Sequence, residues 1–453
     1  MFSMRSIGLL GLCLLCTINV FGQYNMINSK SRKIKFKLVN NIVIIPVELN
    51  GVALSFVLDT GVTKAILFDI ESADSTKLKT TQMRYIKGLG GGSSIKAKLS
   101  KGNILKLGDV TKVNQDLYQV YDTFLNFTPR LGIPVHGIIG YDLFKEFIVE
   151  LNYGSKYLRL HKHKNFKYSK VKHWTPLPIS IHKKKPFIDV AVQIDNSNSD
   201  LKLLMDTGGS DALWLFKSNN RTIKPKDSLF FRDFLGYGLS GSVYGKRSKV
   251  NKVGIGEYEQ FKVNVAFPDS LDLSQSNMYE KRDGSISGNL LKRFNYFFDY
   301  QGEIIYIKSN KLFNEPYHYN NSGLVVEQRG TRLVREIEKL ASGDLYNRQN
   351  TDGQQQISNR TTYRYSVKPA FQIVEIRKNS NAYLAGLRLG DIITSINNEP
   401  AHTITLQELN KFFYDVPGRV MRLKIDRDNK ILSFRFELDD VFKKKDLQLP
   451  EGL

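Results

Sequence analysis

Leu54-Ser55-Phe56-Val57-Leu58-Asp59-Thr60-Gly61 returns as Leu201-Lys202-Leu203-Leu204-Met205-Asp206-Thr207-Gly208, with the two aspartates 147 residues apart. The same offset relates His136-Gly137-Ile138-Ile139-Gly140 to Asp283-Gly284-Ser285-Ile286-Ser287, and Asp142 to Phe147 to Asn289 to Phe294. One register held over separate motifs marks a tandem duplication. Each copy reads as mostly strand. Ile42 to Leu49 and Phe187 to Ile194 are β-branched and aromatic, and each leads through a turn into the apolar strand before Asp-Thr-Gly. Phe147 to Leu160 and Phe294 to Ile307 read as strand pairs turning at Tyr153-Gly154 and Gln301-Gly302, with short helices at 142–147 and 289–294. A glycine-rich hairpin follows each Asp-Thr-Gly, at Gly88-Leu89-Gly90-Gly91-Gly92 and at Gly236-Tyr237-Gly238.

An apolar strand ending in Asp-Thr-Gly is a costly place for an isolated charge, because a buried carboxylate needs a partner. If a pseudo-twofold axis sets Asp59 beside Asp206, like-charge repulsion leaves the two sharing one proton. The ionised oxygen then takes a proton from a water while the protonated one donates to a peptide carbonyl. Gly61 and Gly208 let backbone amides approach the carboxylates, and the Thr60 and Thr207 hydroxyls can lock the two loops together.

On these residues the chain resembles an aspartic protease of the retropepsin/pepsin superfamily, in a fused form with one Asp-Thr-Gly per lobe, over roughly residues 34 to 308. The resemblance implies a mostly β fold: two tandem acid-protease β-barrel lobes paired about a pseudo-twofold axis. It implies that Asp59 and Asp206 are catalytic, that Thr60, Gly61, Thr207 and Gly208 support them, and that two flaps close over an extended polypeptide substrate. The flap residues would be Gly88, Leu89, Gly90 and Gly91 in one lobe and Gly236, Tyr237 and Gly238 in the other. Three departures stand out. The residue after Gly, usually small in this family, is Val62 in one lobe and Gly209 in the other, and the second apolar-apolar-Gly element is blurred to Ser285-Ile286-Ser287-Gly288.

Beyond about residue 310 the repeat stops. Arg329 to Tyr363 is polar and is expected to be a helix-bearing insertion or a mobile loop. The run Ala385-Gly386-Leu387, Gly390-Asp391-Ile392-Ile393 and Ile396-Asn397 resembles a bacterial-type PDZ domain, an α+β module. The likeness implies a peptide ligand added as a strand beside a helix at Thr405 to Phe413. The expected groove residues are Ala370, Phe371, Gln372, Ile373, Leu406 and Leu409, with a carboxylate loop near Lys368 to Phe371. Pro369 leaves fewer free amides there. The expected organisation is a signal peptide at 1–22, lobes at 23–170 and 171–315, a PDZ domain at 316–440 with the polar insertion near 329–363, and a basic tail at 441–453.

Arg5, the apolar run Ile7 to Cys16 and the exit at Val20-Phe21-Gly22 read as a secretory leader, so an exported protein, periplasmic or secreted, is expected. Both cysteines, Cys13 and Cys16, fall within it, which removes disulfides and thiol chemistry from the mature chain. Each follows a leucine where lipoprotein processing favours a small residue, which argues against lipidation. No later stretch is long and apolar enough for a transmembrane helix. The formal charge of +22 is spread over all parts of the 453 residues and accompanies no nucleic-acid module.

His161, His163, His173 and His182 lack a completing carboxylate or cysteine pattern, so no metal or other cofactor is expected. Lys183-Lys184-Lys185 sits at an expected hairpin turn and reads as exposed. A fused pair builds its site without dimerising, so a monomer is expected. Two rival readings stay open: a catalytically inactive protease-fold and PDZ peptide-binding scaffold, and a basic structural protein of the cell envelope.

Overall fold

The computed structural model describes residues 24–68, 76–86, 94–121, 126–216, 223–225, 229–238, 241–269, 281–337 and 363–443. They divide into two units: one runs up to Phe127 and over Pro134–His318, the other comprises Thr128–Ile133 and the chain from Tyr319.

In the first unit, alternating and continuous apolar runs form the strands β1 (Ile42–Leu49), β2 (Val52–Leu58), β3 (Ala65–Phe68), β4 (Thr80–Ile86), β5 (Ile95–Leu107), β6 (Val110–Val120) and β7 (Gly137–Ile139). They close as β1-β2-β7-β3-β6-β5 and back to β1, with β4 hung on the edge of β5. After the helices α1 (Thr128–Leu131) and α2 (Tyr141–Glu146) comes β8 (Ile148–Asn152). The later strands are β9 (Lys185–Ile194), β10 (Ser197–Asp206), β11 (Leu213–Leu215), β12 (Phe230–Gly238), β13 (Gly241–Ile255), β14 (Tyr258–Pro268) and β15 (Gly284–Ser287). They close as β9-β10-β15-β11-β14-β13 and back to β9, with β12 hung on β13. The two sheets thus repeat one strand order, down to the parallel pairings β2–β7 and β10–β15.

The short helix α3 (Gly288–Leu291) leads into β16 (Phe294–Asp299), which pairs antiparallel with β8 in a six-stranded sheet fed by both halves of the unit. A single hydrophobic cluster, including Phe56, Leu58, Phe144, Leu203, Met205 and Phe298, runs through the unit. Phe144 meets Phe298 edge-on at 5.3 Å and stacks on Tyr300 at 5.0 Å. Burial of such rings contributes about 1.5–3 kcal/mol each.

The second unit holds β17 (Leu324–Ile337), β18 (Tyr363–Ile376), α4 (Asn381–Leu384), β19 (Ile392–Ile396), α5 (Leu406–Phe413), β20 (Val420–Arg427) and β21 (Lys430–Glu437), in the sheet order β17-β18-β19-β20-β21. A reciprocal capping box between Thr405 and Glu408 starts α5, and Gly386, at φ +96°, ends α4. The helix α1 packs against β17 within this unit. Arg130 Nε lies 3.4 Å from the buried Glu327 carboxylate, and Gln407 Nε2 donates to Leu131 O at 2.5 Å.

The expected loop or helix-bearing insertion at 329–363 is corrected in part. Residues up to Ile337 continue β17 and Tyr363 opens β18, with Ile337 opposite Tyr363 as the last pair. This ribbon is held by backbone pairing while Leu333, Ile337, Tyr365 and Val367 stay exposed, so no buried period marks it in the sequence. Residues 338–362 lie outside the described residues.

Candidate active site

Strand β2 stops at Leu58 and delivers Asp59, whose amide donates to Ile139 O at 2.8 Å, and β10 ends on Asp206 itself. Between them Thr60 and Thr207 are fully buried and reciprocal. The Thr60 amide donates to Thr207 Oγ1 and the Thr207 amide to Thr60 Oγ1, both at 3.1 Å. Each hydroxyl then donates to a carbonyl across the interface, Thr60 Oγ1 to Met205 O at 2.5 Å and Thr207 Oγ1 to Leu58 O at 2.7 Å. Both amides and both hydroxyls of the pair are engaged across the interface, which fixes the two loops in one geometry.

The glycines bring backbone amides to the acids. Gly61 N donates to Asp59 Oδ1 at 2.6 Å and Gly208 N to Asp206 Oδ1 at 3.1 Å. A Cβ on Gly208 would lie 2.4 Å from the Asp59 carboxyl, and one on Gly61 would lie 3.6 Å from Asp206 Oδ1. The two carboxyls therefore share one confined space, each half-buried. Burial foremost, then the Asp206 carboxylate, pushes the Asp59 carboxyl up to about 7, against the pull of the Gly61 amide and of Lys185. Such a pair takes up protons jointly.

Of the expected flap residues, Gly236, Tyr237 and Gly238 close β12, with Tyr237 opposite Ser242 and Gly238 opposite Gly241. The base of this hairpin is braced: Arg247 Nε pairs with Asp233 at 3.0 Å and its Nη1 with Asp211 at 3.1 Å, and Trp214 Nε1 donates to Asp211 at 2.7 Å. Gly88, Leu89, Gly90 and Gly91 lie outside the described residues.

The blurred element of the second half keeps its place. Ser285 and Ile286 pair with Leu204 and Met205 as Ile138 and Ile139 pair with Val57 and Leu58. The residues after Asp-Thr-Gly differ between the halves. Val62 is buried with its carbonyl beside Gly140, and Gly209 lies beside Ser287, whose Oγ would be 2.7 Å from a Cβ on Gly209.

Two expectations are corrected. Lys183 and Lys184 are exposed, at φ +47° and +67° in the turn, but Lys185 is half-buried and lies within electrostatic reach of both aspartates. The turn occupies the first two lysines, so the third begins β9. The groove expected at Ala370, Phe371, Gln372 and Ile373 is not an edge. Here β18 is paired with β17 on one side and β19 on the other, and Ala370, Phe371, Ile373, Leu406 and Leu409 are core residues. The half-buried Gln372 donates to Gly390 O at 3.2 Å. The sheet edge beside α5 is β17, where α1 lies.

Among the described residues no cluster of His, Cys, Asp or Glu has the form of a metal site. Instead His161 Nε2 pairs with Glu150 at 2.8 Å and His163 Nδ1 lies 3.5 Å from Asp299. His136 Nδ1 accepts from the Ser55 amide at 3.0 Å, and Asp283 Oδ2 accepts from the equivalent Lys202 amide at 2.9 Å. Arg282, which immediately precedes Asp283, reaches Asp206 electrostatically and was not anticipated. Its signal is a cation standing where the first half has Val135.

Against known families, residues 45–143 match the family model described as aspartyl protease, and residues 372–427 match that of the PDZ domain. The first match takes in Asp59, Thr60, Gly61 and Ile138-Ile139-Gly140; Asp206 lies beyond it. No curated protein matches the chain. The chain carries a retropepsin-like aspartyl protease domain joined to a PDZ domain.

Proposed function

We propose that the protein is an aspartic endopeptidase whose site is completed by the second Asp-Thr-Gly, outside the matched domain. The observation that carries this reading is the reciprocal Thr60–Thr207 contact, which leaves Asp59 and Asp206 facing one space. A dyad holding one shared proton is equipped for amide hydrolysis. The ionised carboxylate takes a proton from water as its oxygen attacks the peptide carbonyl carbon, and the protonated carboxyl donates to the carbonyl oxygen. The resulting gem-diol collapses as one of its hydroxyls gives a proton to the ionised carboxylate and the protonated carboxyl gives its proton to the amide nitrogen, so the C–N bond breaks and the dyad returns to its single-proton state. The two acids and the attacking water account for every proton moved, so the step draws on no other group.

The substrate lies extended under the hairpin ending at Gly238, acts with a monomeric enzyme, and is met outside the cytoplasm if the amino-terminal leader is cut. The PDZ domain serves peptide binding or regulation, with β17 as the sheet edge beside α5. The test is digestion of a mixed peptide library between pH 3 and 8 in water enriched in oxygen-18. The reading predicts new carboxyl termini carrying the label. Absence of cleavage across that range, with peptides still bound, would favour the inactive scaffold instead.

A further inference from the structure

Register relates two further positions of the repeat. Ile44 faces Val57, two residues before Asp59, and Phe187 faces Leu204, two residues before Asp206, so Ile42 and Lys185 are equivalent. His136 and Asp283 each accept from the matching strand amide, so Val135 and Arg282 are equivalent as well. In the first half both positions are buried and apolar. In the second both are half-buried cations. A core that needed only packing would repeat the apolar pair, because an unpaired half-buried cation costs stability.

Neither cation has a carboxylate within ion-pair distance among the described residues. Arg282 Nε donates to Gly284 O at 3.0 Å and its guanidinium lies 4.9 Å from the Phe216 ring, while its Nη2 is buried and without a hydrogen-bond partner among those residues. Lys185 reaches Arg282, Asp59 and Asp206 electrostatically, and Arg282 reaches Asp206. A dyad that shares one proton carries one negative charge, so the two cations leave this side of the cleft with an excess of positive charge.

We propose that Lys185 and Arg282 form a carboxylate-recognising subsite beside the dyad, selecting polypeptides with an aspartate or glutamate close to the scissile bond. A substrate carboxylate supplies the acceptor that Arg282 Nη2 lacks and neutralises the excess charge, while Gly284 O and the Phe216 ring hold the guanidinium by its Nε and its face. The proposal rests on the proteolytic reading for its role in turnover, but the recognition itself can be tested apart from cleavage.

The experiment uses the full chain and matched peptides carrying Glu or Gln at successive positions around the scissile bond. The expected result is that wild type favours the Glu peptide by about tenfold in kcat/KM at one position, as suits a charge-assisted contact. Lys185→Ile and Arg282→Met each bring the Glu/Gln ratio toward one. Because the ratio is taken within one sample, a partly folded variant does not distort it. A wild-type ratio near one, or a ratio unchanged in both variants, overturns the proposal. If wild type cleaves neither peptide, the proteolytic reading falls and binding of the same peptides decides. Preferential binding of the Glu peptide, lost in Arg282→Met, supports the subsite, and equal binding overturns it.

Discussion

Thr60 and Thr207 serve as each other's hydrogen-bond acceptor: each buried hydroxyl takes the other's backbone amide at 3.1 Å, 147 residues away in sequence. Removing one hydroxyl orphans the partner's amide and frees a carbonyl, Met205 O or Leu58 O. Thr60→Val and Thr207→Val keep the shape and are each expected to destabilise the protein by about 1–3 kcal/mol. Chemical denaturation of both singles and the double should give a coupling of about 1 kcal/mol or more, since the two act as one unit. Additive losses would contradict the reciprocity.

The raised Asp59 pKa makes stability depend on pH in a definite direction. From the ordinary carboxylate range up to about 7 the folded protein keeps a proton that the unfolded chain releases, so stability falls as pH rises across that window. Asp59→Asn cannot ionise there. It is expected to melt higher than wild type at pH 8, with the gap closing by pH 4, as thermal unfolding across pH would register. Cleavage by wild type should decline as pH passes about 7, where the shared proton leaves.

The close approach of Ser287 to Gly209 predicts a rescue. Gly209→Val recreates the side chain of Val62 but drives its Cβ to 2.7 Å from Ser287 Oγ, at a cost of about 1–3 kcal/mol. Adding Ser287→Gly removes the clashing Oγ and Cβ and should recover most of that loss. Denaturation midpoints of the single and double variants check it.

In the PDZ domain Asp391 is 1% exposed and takes both Arg427 Nε and Nη2 at 2.7 Å, together with the Arg388 amide at 2.8 Å. Asp391→Ala removes the acceptor of the Arg388 amide and the partner of the partly exposed Arg427 guanidinium, and is expected to cost about 1–3 kcal/mol. Protease susceptibility of residues 319–443, followed by fragment mass, would register the loss.

The parts legible in the sequence were those the duplication repeats or local chemistry dictates. Asp59 and Asp206 stood out because one offset carried both, and the helix expected at Thr405 to Phe413 followed from the PDZ likeness. What escaped depends on pairing between distant segments. Only the turn at Lys183 and Lys184 decides that Lys185 faces inward. Only the hydrogen bonds of β17 and β19 make β18 an interior strand, so Ala370 to Ile373 looked available when they are not. The ribbon of β17 and β18 beyond Gln328 was hidden for a related reason: it closes on backbone bonds and buries little.

The central claim is that Asp59 and Asp206 form one catalytic unit, and single against double substitution tests it most directly. Cleavage rates of Asp59→Asn, Asp206→Asn and the double variant would be compared on one peptide at the optimal pH. Residues acting as a unit are non-additive, so each single is predicted to fall to the floor of the double. Substantial cleavage surviving in either single variant would contradict the shared dyad.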